Sequence, residues 1–75
     1  MSKPVLIDAT KLEKLILVLG FVKARQKGSH AFYRHPGGRT TTIPFHIGKD
    51  LHRPLLRKIL NEIKISIDEY NSHIQ

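Results

Sequence analysis

Apolar residues change rhythm twice along this chain. Leu12, Leu15, Ile16 and Leu19 recur at helical spacing and form one stripe, which Leu17 and Val18 thicken. Asp8 stands where a carboxylate caps a first turn, and Gly20 where a left-handed residue ends a helix. The rhythm then falls to period two. Phe21 to Gln26 reads as a strand that turns Phe21 and Val22 toward the core and points Lys23 and Arg25 together to the other face. Lys27-Gly28-Ser29 is a turn, and His30 to His35 a second strand. Alternation puts His30, Phe32 and Arg34 on one face and Ala31, Tyr33 and His35 on the other. Pro36-Gly37-Gly38-Arg39 is the strongest turn signal, and Thr40 to Phe45 a third strand rich in β-branched residues, with Pro44 marking an edge or an end.

Helical spacing returns with Leu51, Leu55, Leu56, Ile59, Leu60 and Ile63, bordered by Arg53, Arg57 and Lys58, with Pro54 in the first turn. His52 caps or flanks this helix. Ser66 and Glu69 have capping-box spacing, which predicts a short last helix over Ile67 to Ile74 with Tyr70 turned inward. The order α-β-β-β-α with a small extra helix is an α+β fold. It gives a three-stranded antiparallel sheet with helices on one face and the other face open, the general plan of a double-stranded-RNA-binding domain. Val5, Leu6 and Ile7, in the stretch before Asp8, are expected to add a strand, pack on the first helix or touch a partner.

Seventy-five residues fit one domain, 1–75, with a small core. There are no cysteines, hence no disulfide or thiolate metal site. No apolar run is long enough to span a membrane, and the Met1 end lacks a signal-peptide pattern, so a cytoplasmic protein is expected. Charge changes the picture more. The net charge is +7, and between Lys23 and Lys58 nine basic residues face only Asp50. That middle suits a polyanion such as RNA, or an acidic protein.

Within it, Gly28-Ser29-His30 places a histidine beside a tight turn. An imidazole ordinarily exchanges protons near neutral pH. RNA carries its own nucleophile, the 2′-OH, and a base that takes its proton starts cleavage without a metal. The phosphorane that forms needs cations or N–H donors, for which Lys27 and the Gly28 backbone are nearest in sequence. Ser29 donates a hydrogen bond or holds the turn. His46 is a candidate for phosphate contact or site support, in a groove with Gly48 and Lys49. His35 falls on the opposite strand face from His30 and reads as structural or binding. One of Phe32 and Tyr33 faces inward, and the other is free to stack on a base. No HExxH, GxGxxG or GxxxxGKS pattern is present, and no metal site or cofactor is expected.

These residues resemble the HicA family, the small toxins of bacterial and archaeal HicA–HicB toxin–antitoxin pairs, from about Lys11 to Tyr70. The resemblance is carried by Leu15-x-x-x-Leu19-Gly20-Phe21, Arg25-Gln26-Lys27-Gly28-Ser29-His30, His35-Pro36, Ile43-Pro44-Phe45-His46, Gly48-Lys49-Asp50-Leu51, Leu55-Leu56-Arg57-Lys58-Ile59-Leu60 and Ile65-Ser66-x-Asp68-Glu69-Tyr70. It implies a double-stranded-RNA-binding-like fold and a metal-independent endoribonuclease that cuts mRNA. His30 would be catalytic and Gly28 would shape the turn beside it; the residues themselves make Arg25, Lys27, Gly28, Ser29, His46 and Lys49 the candidates for binding RNA or supporting the site. It also implies a HicB-type antitoxin covering the active site, with the toxin monomeric when free and hetero-oligomeric with its partner. The alternatives are a non-catalytic RNA-binding module of the same fold and an interaction protein that holds an acidic partner.

Overall fold

The computed structural model describes residues 3–46 and 48–74; Met1 and Ser2, the start of the stretch before Asp8, lie outside the described residues. The order is α1 (Ala9–Val18), β1 (Val22–Lys27), β2 (His30–Arg34), β3 (Thr40–Pro44), α2 (Arg53–Ile63) and α3 (Ile67–Ile74). The strands form one antiparallel sheet, β1-β2-β3. The fold is α+β and fits the double-stranded-RNA-binding-like plan expected from the sequence.

Each helix begins as its sequence dictates. The Asp8 carboxylate accepts from Lys11 N at 2.9 Å, His52 Nδ1 from Leu55 N at 3.3 Å, and Ser66 Oγ from Glu69 N at 3.1 Å. After Val18 the chain leaves α1 through Gly20, whose φ of +99° suits a residue without Cβ. Leu12, Leu15 and Ile16 of α1 and Leu56, Ile59, Leu60 and Ile63 of α2 are buried against the inner sheet face, where Ala31, Tyr33, Thr41 and Ile43 point inward. Leu17 and Val18 do not thicken the stripe. They are 45% and 77% exposed, because the apolar arc of α1 needs only the positions three and four apart.

β1 departs from simple alternation. Val22 pairs with Arg34 and Lys23 with Tyr33, but Arg25 pairs with Phe32, so Ala24 is an extra, unpaired residue. This bulge separates Lys23 from Arg25. Directly opposed residues share a face, so Lys23 lies on the inner side with Tyr33, and Arg25 on the outer side with Phe32. Val22 is likewise on the outer face, 62% exposed, rather than in the core; Phe21 alone is buried there.

The stretch before Asp8 forms a strap. Ile7 O accepts from Leu51 N at 2.8 Å, and Asp8 bridges to Asp50. The Asn71 amide of α3 takes both polar groups of the strap backbone within its reach, donating to Lys3 O at 3.0 Å and accepting from Val5 N at 2.9 Å. The Tyr70 hydroxyl donates to Val5 O at 2.5 Å. Burial, with a lesser contribution from the Asp50 charge, pushes this hydroxyl up to about 12.

Candidate functional site

His30 opens β2 on the solvent side of the sheet and is exposed. Its position is set by the shortest turn in the chain. Lys27 and His30 are cross-strand partners, so only Gly28 and Ser29 join β1 to β2. Gly28 has φ +59° and Ser29 has no positive φ, the arrangement in which glycine is favoured at the first central position. The turn is held from both sides. Gln26 Nε2 donates to Gly28 O at 3.1 Å, and Phe45 N donates to Ser29 O at 2.7 Å. Among the described residues no hydrogen bond engages the His30 imidazole, so its nitrogens are open to a ligand.

Pairing places Lys27 directly across from His30 on the same face. Arg25, two residues before Lys27 in unbroken pairing, follows on that face by simple alternation, with its guanidinium carbon 5.4 Å from the Phe32 ring centroid; Arg34 lies 6.0 Å from the same ring. Thr40, Thr42 and Pro44 of β3 complete this outer face. Arg25, Lys27, Gly28, Ser29 and His30 are therefore brought together at one corner of the sheet.

His46 and Lys49 reach the same end of the molecule by another route. His46 follows Phe45, whose N–H is bonded to Ser29, and Lys49 N donates to His46 O at 3.2 Å. Both side chains line a groove of about 470 Å³ with Asp50, Leu51, His52 and Leu55. His46 also borders a second groove of about 240 Å³, with Asp8, Ala9, Thr10, Phe45 and Gly48. Lys49 shares the first groove with His46 but not the second, and neither groove is lined by His30.

His35 is apart from this corner and is a packing residue. Its ring lies 5.0 Å from Phe21, and its Nδ1 accepts from Gly37 N at 2.9 Å. Arg39 packs against both rings and donates to Ile63 O at 2.7 Å, capping the last turn of α2. On the inner side the Tyr33 hydroxyl donates to the Glu13 carboxylate, which also pairs with Lys23 Nζ at 3.1 Å. The Tyr33 bond, above all, holds the Glu13 carboxyl below the usual carboxylate range; partial burial opposes this and Lys23 adds to it. Burial first, then Glu13, pushes the Tyr33 hydroxyl well above its ordinary value. Among the described residues no three His, Asp or Glu side chains converge to hold a metal ion.

Residues 9–65 match the family described as the HicA toxin of bacterial toxin–antitoxin. The chain belongs to the HicA toxin family. No curated protein matches it. All of the residues gathered around the Gly28-Ser29 turn lie inside the HicA match, and the strap and α3 lie outside it. No helix among the described residues of this HicA-family chain is long and apolar enough to cross a membrane.

Proposed function

We propose that this HicA-family chain is a metal-independent endoribonuclease acting on mRNA, with His30 as the catalytic base. The observation that carries the reading is the placement of His30: an exposed imidazole beside a two-residue glycine turn, with Lys27 opposite it on the open basic face.

The chemistry follows from that placement. His30 removes the proton of a ribose 2′-hydroxyl, and the freed oxygen attacks the adjacent phosphorus. The phosphorus–O5′ bond breaks, and the 5′-oxygen leaves as a hydroxyl after gaining a proton. The products are a 2′,3′-cyclic phosphate and a 5′-OH end. Negative charge grows on the phosphorane oxygens as this occurs. Lys27 supplies a cation there, and the Gly28 and Ser29 N–H groups lie in the turn, outside the strand ladder, as donors. Arg25 holds the flanking backbone, while His46 and Lys49 support the RNA at the groove beside α2. A HicB-type antitoxin covers this corner, and the free toxin is a monomer in the cytoplasm.

Wild type and His30→Ala, incubated with a labelled mRNA in excess EDTA, test the reading. Wild type is expected to leave cyclic phosphate ends. The variant is expected to bind RNA as before and to cut at least about 100-fold more slowly. If neither protein cuts and both bind RNA equally, the chain is a non-catalytic RNA-binding module instead.

A further inference from the structure

Phe32 is an aromatic residue in the wrong place for a core. It sits on the open side of β2, and the cluster of buried side chains does not include it; Phe45, by contrast, packs against that cluster. The guanidinium groups of Arg25 and Arg34 stand at 5.4 and 6.0 Å from its ring centre, and the ring also borders a small groove of about 120 Å³ with Thr42, Leu55, Lys58 and Glu62 among others. Both arginines have flexible stems and exposed heads, so the ring is shielded from water without being closed to a flat ligand.

The neighbours of Phe32 extend this arrangement along the strand. His30, Phe32 and Arg34 alternate on one face, about 7 Å from one to the next, which is a length that one nucleotide of extended RNA spans. Beyond Arg34 the face dips into a groove of about 680 Å³ lined by Val22, Ala24, Arg34, His35, Pro36 and Thr40 among others. Val22, the apolar wall of that groove, is 62% exposed. Along β2 the order is thus imidazole, aromatic ring between two cations, cation, and apolar hollow. Aromatic faces stack any base, and guanidinium groups hold the phosphates between bases. A duplex keeps its bases stacked on each other and has none to offer Phe32, so the face selects unpaired RNA.

We propose that the open face of the sheet is a track for single-stranded RNA, in which Phe32 stacks the base next to the linkage at His30 and Arg34 holds the following phosphate. This rests on the ribonuclease reading for the position of the cut. It adds a binding surface along β2 and a requirement for unpaired substrate.

The test uses the full chain in a His30→Ala background, so that RNA stays intact, and a short unstructured oligoribonucleotide as the probe. Adding Phe32→Leu is expected to weaken binding about 5- to 100-fold, and Phe32→Trp to retain it. An abasic site at one position of the oligonucleotide should lower the affinity of the protein that keeps Phe32 and leave that of the Phe32→Leu protein unchanged, with a cooperative thermal melt of the Phe32→Leu protein showing that it is folded. The same sequence in a perfect duplex should bind weakly to both. Equal binding with and without the Phe32→Leu substitution, or equal sensitivity to every abasic position, overturns the track even if wild type cuts RNA. Phe32-dependent binding in a protein whose wild-type form never cuts RNA upholds the track and removes the cleavage reading. If Phe32→Leu weakens only association with an acidic protein, the face is a protein interface and the track is wrong.

Discussion

Glu13 joins the first helix to the middle strand through one hydroxyl group. Tyr33 is fully buried and donates to Glu13, and Lys23 completes the cluster from β1. Glu13→Ala leaves the buried hydroxyl without a partner and is expected to destabilise the protein by about 1–3 kcal/mol in urea melts. Because the folded protein holds the Glu13 carboxyl below its ordinary value, the folded state binds its proton less readily than the unfolded chain. The stability it adds is present above about pH 4.3 and is lost as pH falls through the folded value. The urea midpoints of wild type and Glu13→Gln should therefore converge in acid; a constant gap would mean that the charge of Glu13 contributes nothing. Lys23 belongs to this cluster only because of the Ala24 bulge. Alternation in the sequence puts Lys23 and Arg25 on one face, and an alanine gives no sign that it is the extra residue, so the turn of Lys23 to the inner face was not legible. His30, Lys27 and the turn between them were, because Gly28 fixes the turn and period two fixes the face.

The helices were legible for a different reason. Asp8, Ser66 and the leucine spacing act locally, and each produced the cap or stripe its neighbours in sequence imply. The exit of Leu17 and Val18 from the core was not legible, since it depends on how wide an arc the sheet covers. The strap was the least legible element. Its apolar residues fit several fates, and its partners Tyr70 and Asn71 lie 65 and 66 residues away from Val5. Asn71 serves the strap as a neighbouring strand would, with one donor and one acceptor. Asn71→Ala is expected to remove the hydrogen-exchange protection of the Val5 amide and about 1 kcal/mol of stability, while amides of α1 keep their protection. Unchanged protection at Val5 would mean that Ile7 and Tyr70 hold the strap alone.

The whole molecule carries +7, concentrated between Lys23 and Lys58. Binding to an acidic antitoxin is expected to be steered by this field, with an association rate that falls about tenfold or more as salt rises from ~0.01 to ~1 M and the Debye length shrinks from about 30 to about 3 Å. A rate that ignores salt would assign recognition to apolar contacts. The same residues have a consequence for crowding. β1 is an outer strand of the sheet and every residue in it is exposed, which is ordinarily an invitation to edge-to-edge aggregation. Here the strand is bent at Ala24 and carries Lys23, Arg25 and Lys27. Two copies that paired through β1 would press these cations together along a kinked seam. The positive charge and the bulge along this edge thus oppose pairing between copies of the chain.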